Sequence, residues 1–266
     1  YNKYQIRDIK GAVSSMDESS NIFARNGNPI MACVERITNH MWETEYSPAE
    51  PLVEKALTEL DELVSLKPGQ GFLEFCQTVV SVVLKEANLL IESEKLLLQA
   101  YKTSKDKNAL QSMCGTAMHL ADLYFRKNAV NFEKKYLIIW GNTVSKNNYI
   151  YFREMNYPTL VRVCARCIGE KINPVHMQKI ISIYFGADAA TFIFQNHAQA
   201  AADPKAFIFE HALSLQKKRL IKIKLFGSFK MIVDNTELGE NEWKTRKICG
   251  ILKYILANPE KTVSRE

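Results

Sequence analysis

The sequence predicts a mainly α-helical protein: an antiparallel array of helix pairs, followed by a smaller module that mixes strands with helix. Apolar residues recur at helical spacing through most of the 266 residues, and short polar breaks separate these segments. Strand-like alternation begins only near residue 220. Apolar residues make up 47% of the chain and charged residues 24%, which excludes a disordered chain.

Residues 1–27 carry no clear helical pattern, and we predict an irregular N-terminal segment there. Helix signals begin at about Asn28. Ser47, Pro48 and Glu50 have the spacing of a capping box with proline at the first helical position, which predicts a helix start. The apolar stripe behind that start consists of Val53, Ala56, Leu57, Leu60, Leu63 and Val64.

Residues 28–200 are predicted to form a helical-repeat domain for sensing or interaction. Helix starts near Gly71 and Asn108 lie about 38 residues apart, and each opens a helix–turn–helix unit. Such spacing favours a tetratricopeptide-like array, in which neighbouring pairs stack because no pair buries its own apolar face. The Trp-Leu-Gly-Tyr positions of that repeat are not met, so an irregular helical bundle is the alternative.

Residues 201–219 are predicted to form a connecting helix. Asp203 and Pro204 repeat a cap-then-proline signal, and Phe207 and Ile208 supply an apolar face. A flexible linker would be rich in Gly, Ser or Pro, and this segment is not. We therefore expect it to dock against the array.

The six cysteines are scattered along the chain, which is typical of reduced thiols. Cys164 and Cys167 have C-x-x-C spacing, but a zinc site needs a second ligand pair and none follows at suitable spacing. Leu160 and Val163 share their helical stripe, which predicts that both thiols lie in the core. The chain has no phosphate loop, His pairing or nucleophile elbow, so we expect no enzyme, no metal and no cofactor.

The segment "NNYIYFREMNYP" (147–158) concentrates aromatic side chains. Tyr149, Tyr151, Phe152 and Tyr157 are candidates for a surface that binds a ligand or a protein partner. Aromatic clusters also seal the joints between helix pairs, and that structural role is the alternative.

The net charge of +6 is confined to one end of the chain. Residues 217–266 hold 12 Lys and Arg against 6 Asp and Glu, while residues 1–216 hold 23 of each. A neutral body with a basic tail suggests two modules, one of them facing nucleic acid. In that tail Ile221 and Ile223 alternate with Lys222 and Lys224, which predicts a strand, and "EWKTRKICGILKYILANP" returns to helical spacing.

Residues 220–266 resemble the start of a winged-helix domain of the OmpR type. The resemblance is closer to the version in streptomycete antibiotic regulatory proteins and related large LuxR-like activators. It rests on "LFGSF" (225–229), on the closing "VSRE" (263–266), and on a run that matches at Arg246, Lys247, Ile251, Leu252, Tyr254 and Ile255. The stretch "YPTLVRVCARCIGEKINPVHMQKIISIYF" (157–185) resembles the last helix pair that precedes this domain in such regulators.

This resemblance implies a cytoplasmic bacterial transcriptional regulator. In the family the recognition helix follows "VSRE", so we expect it beyond Glu266, and both ends of the sequence look clipped. Candidates for contacts to the DNA backbone are Lys244, Arg246, Lys247 and Arg265.

The expected partners are DNA and an effector on the array, either a protein or a small molecule; a homodimer is compatible with this. No membrane is expected, because no apolar run reaches the ~18 residues of a spanning helix. The rival hypothesis is a tetratricopeptide-like scaffold that binds protein partners and not DNA.

Overall fold

Helices dominate the computed structural model, which describes residues 9–151, 153–215, 221–224, 230–233 and 236–238. The helices in these ranges are α1 (Ile9–Arg25), α2 (Pro29–Glu43), α3 (Glu50–Ser65), α4 (Gln70–Glu86), α5 (Leu90–Asp106), α6 (Leu110–Arg126), α7 (Val130–Lys146), α8 (Tyr157–Gly169), α9 (Pro174–Gln195), α10 (His197–Ala202) and α11 (Pro204–Leu215). The strands are β1 (Ile221–Lys224), β2 (Lys230–Val233) and β3 (Thr236–Leu238). The chain divides into two compact units, Tyr1–Ser214 and Leu215–Glu266.

The middle of the first unit has a regular period. Helices α4 to α7 are 17 residues long and begin at Gln70, Leu90, Leu110 and Val130, so successive starts lie 20 residues apart. A helix pair therefore repeats every 40 residues. This is longer than the spacing of about 38 expected from the sequence, and longer than the 34 residues of a tetratricopeptide unit.

The period originates in the turns. Asn88, Asn108, Asn128 and Asn148 all adopt left-handed backbone angles, with φ between 51° and 61°. At each turn the next N–H donates to a carbonyl five residues back, as Ala109 does to Ser104 at 2.9 Å. This is the Schellman arrangement, and asparagine tolerates its left-handed position better than most residues.

The helices of the first unit lie in two rows. Each of α4 to α7 packs against the next along the chain, and α2, α4, α6 and α8 also pack against one another in that order. In this inner row, α6 is buried without a break from Cys114 to Tyr124. The outer helix α5 buries only a stripe, Ser93, Leu97, Ala100 and Ser104. A helix buried all round belongs at the centre of a fold, and a striped one at its edge.

The expectation of an irregular N-terminal segment is wrong for residues 9–25. They form α1, which packs against α2 and buries Ala12, Met16 and Ser20 at helical spacing. The Ser20 hydroxyl donates to the Ala32 carbonyl at 3.1 Å. Small and polar side chains permit this close packing, and they leave little apolar pattern in the sequence.

The capping box at Ser47 is also wrong. The Ser47 N–H donates to the Glu43 carbonyl and so belongs to the turn that ends α2. Helix α3 begins at Glu50, with Ala49 at the cap position and no side-chain cap. The stripe is rotated accordingly: Leu52, Ala56, Leu60 and Leu63 are buried, whereas Leu57 and Val64 are exposed.

The predicted connecting helix is present as α11. The Asp203 carboxylate accepts from the Ala206 N–H at 2.9 Å, which is the expected cap. Phe207 is buried against the rings of Phe185 and Phe192 of α9. The described part of this helix therefore packs on the first unit.

In the second unit, β1, β2 and β3 form an antiparallel sheet in sequence order. Ile223 pairs with Met231, and Ile232 pairs with Glu237. The predicted helix after residue 241 lies outside the described residues, so the winged-helix assignment stays a prediction. Among the described residues, no helix is long and apolar enough to cross a membrane.

The left-handed turns lead to a prediction at Asn108, which is exposed and has φ 53°. Replacement by valine should cost about 1–2 kcal/mol of unfolding free energy, because a β-branched residue is strained at positive φ. Asn108→Gly should be neutral or stabilising. Urea denaturation measures both variants, with Lys105→Val on the exposed surface of α5 as the control. Equal costs for the two valine variants would contradict the role of the turn.

Candidate functional site

The segment between α7 and α8, residues 149–156, is fixed by contacts to several helices of the first unit. The Ile150 carbonyl accepts from the Tyr184 hydroxyl at 2.7 Å, and the Glu154 carbonyl bonds to His119 Nε2 at 2.7 Å. At its end Asn156 caps α8, accepting from the Thr159 N–H, and its own amide donates to Glu45. The segment thus connects α8 and α9 with α6 and with the turn after α2.

The structure separates the four aromatic candidates. Tyr157 is fully buried and contacts the rings of Tyr184 and Phe185, so it is a core residue and not part of a partner surface. Tyr149 is half-buried, and its carbonyl accepts from His176. Tyr151 is half-buried and lines a cavity. Phe152 lies outside the described residues.

That cavity has a volume of about 360 Å³ and lies where the N-terminal turns of α4 and α6 meet Tyr151, Arg153 and Glu154. Its lining residues are Gly71, Phe75, Gln111, Ser112, Tyr151, Arg153 and Glu154. Gly71 and Gln111 are exposed at the rim, whereas Phe75 and Glu154 are buried and form the inner wall. Cavities of this size hold small organic ligands.

Two charged side chains distinguish this cavity. The Arg153 guanidinium carbon lies 4.1 Å from the centre of the Phe75 ring, a cation–π contact. The Glu154 side chain is 3% exposed, and its Oε2 atom has no hydrogen-bond partner. Burial raises the pKa of Glu154 from its ordinary 4.5 to about 7, and a hydrogen bond to its own backbone and the nearby Arg153 only partly offset this.

The Glu154 carboxyl group rests against Gly115 of α6. A Cβ atom at position 115 would lie 2.5 Å from Oε2, so only glycine leaves room for this carboxyl. Beside it His119 is fully buried, and burial lowers its pKa to about 3, so its ring is neutral and Nε2 donates to the Glu154 carbonyl. The inner wall thus contains one carboxyl oxygen, Oε2 of Glu154, that has no hydrogen-bond partner.

A larger cavity of about 490 Å³ lies between the end of α7 and the start of α9. Its polar side chains already have partners: Asn173 donates to Asn142 at 2.9 Å, and Lys179 donates to Asn148 at 2.8 Å. We therefore regard the cavity at Glu154 as the stronger candidate for a ligand site.

At the opposite ends of α4 and α6, a group of charged side chains is buried in the inner row. The Asp122 carboxylate forms ion pairs with Lys85 of α4 and with Arg162 of α8. Thr159 donates to Asp122 at 3.2 Å, and Arg126 lies 3.5 Å away. The side chains of both Lys85 and Asp122 are fully buried.

Electrostatics keep the Asp122 carboxylate ionised, whereas burial lowers the pKa of Lys85 despite the adjacent carboxylate. Burial alone would raise the pKa of Asp122, but the adjacent Lys85, Arg162 and Arg126 outweigh it and hold the pKa well below its ordinary value. Arg162 also donates to the Ala201 carbonyl at 3.0 Å, which attaches α10 to α8. The cluster therefore joins four helices, and its role is structural.

The remaining sequence candidates fall elsewhere. Cys164 and Cys167 are fully buried, as predicted, and burial raises the pKa of both thiols. In the part of the chain that the structure describes, no group of three or more His, Cys, Asp or Glu is placed to hold a metal ion. The DNA-backbone candidates Lys244, Arg246, Lys247 and Arg265 lie outside the described residues.

Sequence reasoning missed Glu154, Lys85 and Asp122. Lys85 ends the apolar run "VVSVVL" and Asp122 interrupts "MHLADLYF", so each is a charge inside a buried pattern. A charged residue inside an apolar pattern was the signal that could have identified Lys85 and Asp122. Glu154 carried none, because "FREMN" reads as an ordinary polar loop.

Comparison with family models, with curated proteins and with solved structures finds no match to this chain.

Asp122→Asn should destabilise the protein by about 3–5 kcal/mol, because it leaves Lys85 and Arg162 buried without their counter-charge. Thermal and urea unfolding measure this loss. The control is Lys134→Ala, which breaks the exposed pair with Glu170 and should cost under about 1 kcal/mol. A similar small cost for Asp122→Asn would show that the cluster does not hold the inner row together.

Glu154 should make stability depend on pH between about 4.5 and 7. Its pKa is raised in the folded state, so the contribution of Glu154 to stability falls as pH rises through this window, by about 3 kcal/mol at most. Buried His119 has a lowered pKa and acts in the opposite direction, since its contribution to stability rises with pH up to about 6.5. Glu154→Gln should remove only the first contribution, so the stability of the variant should rise with pH more steeply than that of the parent. Urea unfolding at pH 5, 6, 7 and 8 tests this, with Glu92→Gln on the exposed surface of α5 as the control. An unchanged slope in Glu154→Gln would contradict the assignment.

Proposed function

We propose that this chain is part of a bacterial transcriptional regulator, in which the helical first unit senses an effector and the second unit belongs to a winged-helix DNA-binding domain. The observation that carries the proposal is that the structural boundary between the two units coincides with the start of the basic part of the sequence. The chain divides at Ser214/Leu215, and the entire charge surplus begins at Lys217. A module that faces phosphates needs this surplus, and a second neutral scaffold unit does not.

The sheet of the second unit is compatible with the proposal. Its three strands occur in the order that the resemblance implies for the platform ahead of the first winged-helix helix. In the sequence of β1, Lys222 and Lys224 alternate with isoleucines. The four candidate phosphate contacts follow this sheet in the sequence.

The structure of the first unit is compatible with a role in sensing by a tetratricopeptide-like array. Its two rows of paired helices pack as in repeat proteins, in which each pair is buried by its neighbours. It also contains a cavity of ligand size whose inner wall has a carboxyl oxygen without a hydrogen-bond partner. We find no set of residues in the described ranges arranged for catalysis, and we propose no enzymatic activity.

The alternative is a scaffold for protein partners. Ile91, Val130 and Phe132 are each more than half exposed in the first turns of the outer helices α5 and α7. Apolar side chains at such positions suit contact with another protein. This alternative predicts that the basic second unit does not interact with nucleic acid.

DNA binding separates the two proposals. At low salt the 266-residue chain should bind duplex DNA weakly and without sequence preference, because base-edge contacts need the recognition helix expected beyond Glu266. The logarithm of the binding constant should fall with the logarithm of salt concentration, with a slope of about −0.9 per phosphate contact. A fluorescence anisotropy titration on a specific and a scrambled duplex measures both quantities.

The matched variants are two triple substitutions to glutamine. The first variant changes Lys244, Arg246 and Lys247. The second changes three residues on the exposed surface of α5: Lys95, Lys102 and Lys105. The first should make the salt slope shallower, and the second should leave it unchanged. Equal effects would favour the scaffold, and tight sequence-selective binding by this chain would refute the predicted position of the recognition helix.

A further inference from the structure

The cavity at Glu154 contains hydrogen-bonding groups of two kinds that lack partners, an acceptor and a set of donors. On its inner wall, the Oε2 atom of Glu154 is buried and has no hydrogen-bond partner. A buried carboxyl oxygen without a partner is unfavourable, and a bound N–H donor would relieve it. An ammonium group is the strongest such donor, because it also compensates the carboxylate charge.

The outer part of the cavity instead presents hydrogen-bond donors. It is formed by the first turns of α4 and α6, at Gly71 on one helix and at Gln111 and Ser112 on the other. Neither helix has a side-chain cap. The N–H groups of a first helical turn have no partner within the helix, and two helix N-termini together favour an acceptor or an anion.

Arg153 adds a positive charge to the same cavity. Its guanidinium lies over the Phe75 ring, and Glu35 of α2 and Glu154 are the carboxylates that interact with its charge. Among the residues that line the cavity, Arg153 supplies one positive charge and Glu154 one carboxyl group. Such a site selects a ligand that carries both charges over one that carries either alone.

We propose that the cavity binds a small zwitterionic ligand of the amino-acid type. Its ammonium group donates to Glu154, and its carboxylate contacts Arg153 and the first turns of α4 and α6. Phe75 and Tyr151 supply an aromatic wall for an apolar side chain. This inference rests on the proposed sensory function of the helical array and names the class of effector.

The experiment uses the whole 266-residue chain without DNA. Thermal shift with the twenty L-amino acids comes first, followed by calorimetry with L-phenylalanine, phenethylamine and 3-phenylpropionate, which differ only in their charged groups. At least one amino acid should bind with a Kd below about 1 mM. L-Phenylalanine should bind at least tenfold more tightly than the amine or the acid alone.

Two variants assign the two ends of the ligand. Glu154→Gln should weaken the binding of L-phenylalanine and phenethylamine at least tenfold and leave 3-phenylpropionate unchanged. Arg153→Gln should weaken L-phenylalanine and 3-phenylpropionate and leave phenethylamine unchanged. Glu94→Gln, which removes a surface carboxylate paired with Lys127, is the control and should bind all three as the parent does. Circular dichroism establishes that each variant is folded.

Absence of binding by any amino acid overturns the proposal, and so does binding that neither variant changes. Equal affinity for L-phenylalanine and 3-phenylpropionate also overturns it, because Glu154 would then have no part in recognition. The result is independent of the DNA titration, since the cavity belongs to the first unit alone. Ligand binding without DNA binding would refute the proposed regulator function and support the proposed ligand site.

Discussion

The buried ion cluster around Asp122 is the constraint on which the first unit depends. Three cations surround this carboxylate, and they come from α4, α6 and α8, the central members of the inner row. Apolar packing alone would allow neighbouring helices to slide along each other, since it has little direction. An ion pair without water is directional and costly to break, so the cluster fixes how these helices are aligned.

The repeating turns determine the length of the helices and the level at which their ends lie. Each left-handed asparagine ends one 17-residue helix, and at Asn88, Asn108 and Asn128 the chain reverses within three residues. Helices of equal length joined by equal turns bring the same end of every second helix to one level. The N-terminal turns of α4 and α6 therefore lie side by side, with the cavity between them, and the charged residues near their opposite ends converge on Asp122.

The segment after α7 breaks this regularity, and the candidate site results from the break. In place of another three-residue turn, residues 149–156 cross the first unit and reach Glu45, more than 100 positions earlier in the chain. This crossing brings Glu154 against Gly115 and Arg153 against Phe75. A site made in this way needs both the repeat and its interruption, and neither alone contains the cavity.

The sequence by itself determined where most helices lie, where the strands lie, and how the charge is divided between the two units. These properties depend on local spacing and composition, which a single stretch of chain displays. The helix at Ile9–Arg25 was missed because it buries small and polar side chains, and the start of α3 was misplaced because Ser47 belongs to the preceding turn. In the first case a contact between two helices outweighed the local pattern, and in the second the turn after α2 continued past the expected cap.

Only the tertiary structure decided which helices are central, which charges are buried, and where a ligand fits. Tyr157 and Tyr151 look alike in the sequence, yet the first is a core residue and the second lines a cavity. Lys85 and Asp122 are 37 positions apart, and no local rule pairs them. Burial and pairing depend on residues that are distant along the chain, so the chemistry of Glu154 and Asp122 arises only when the helices pack.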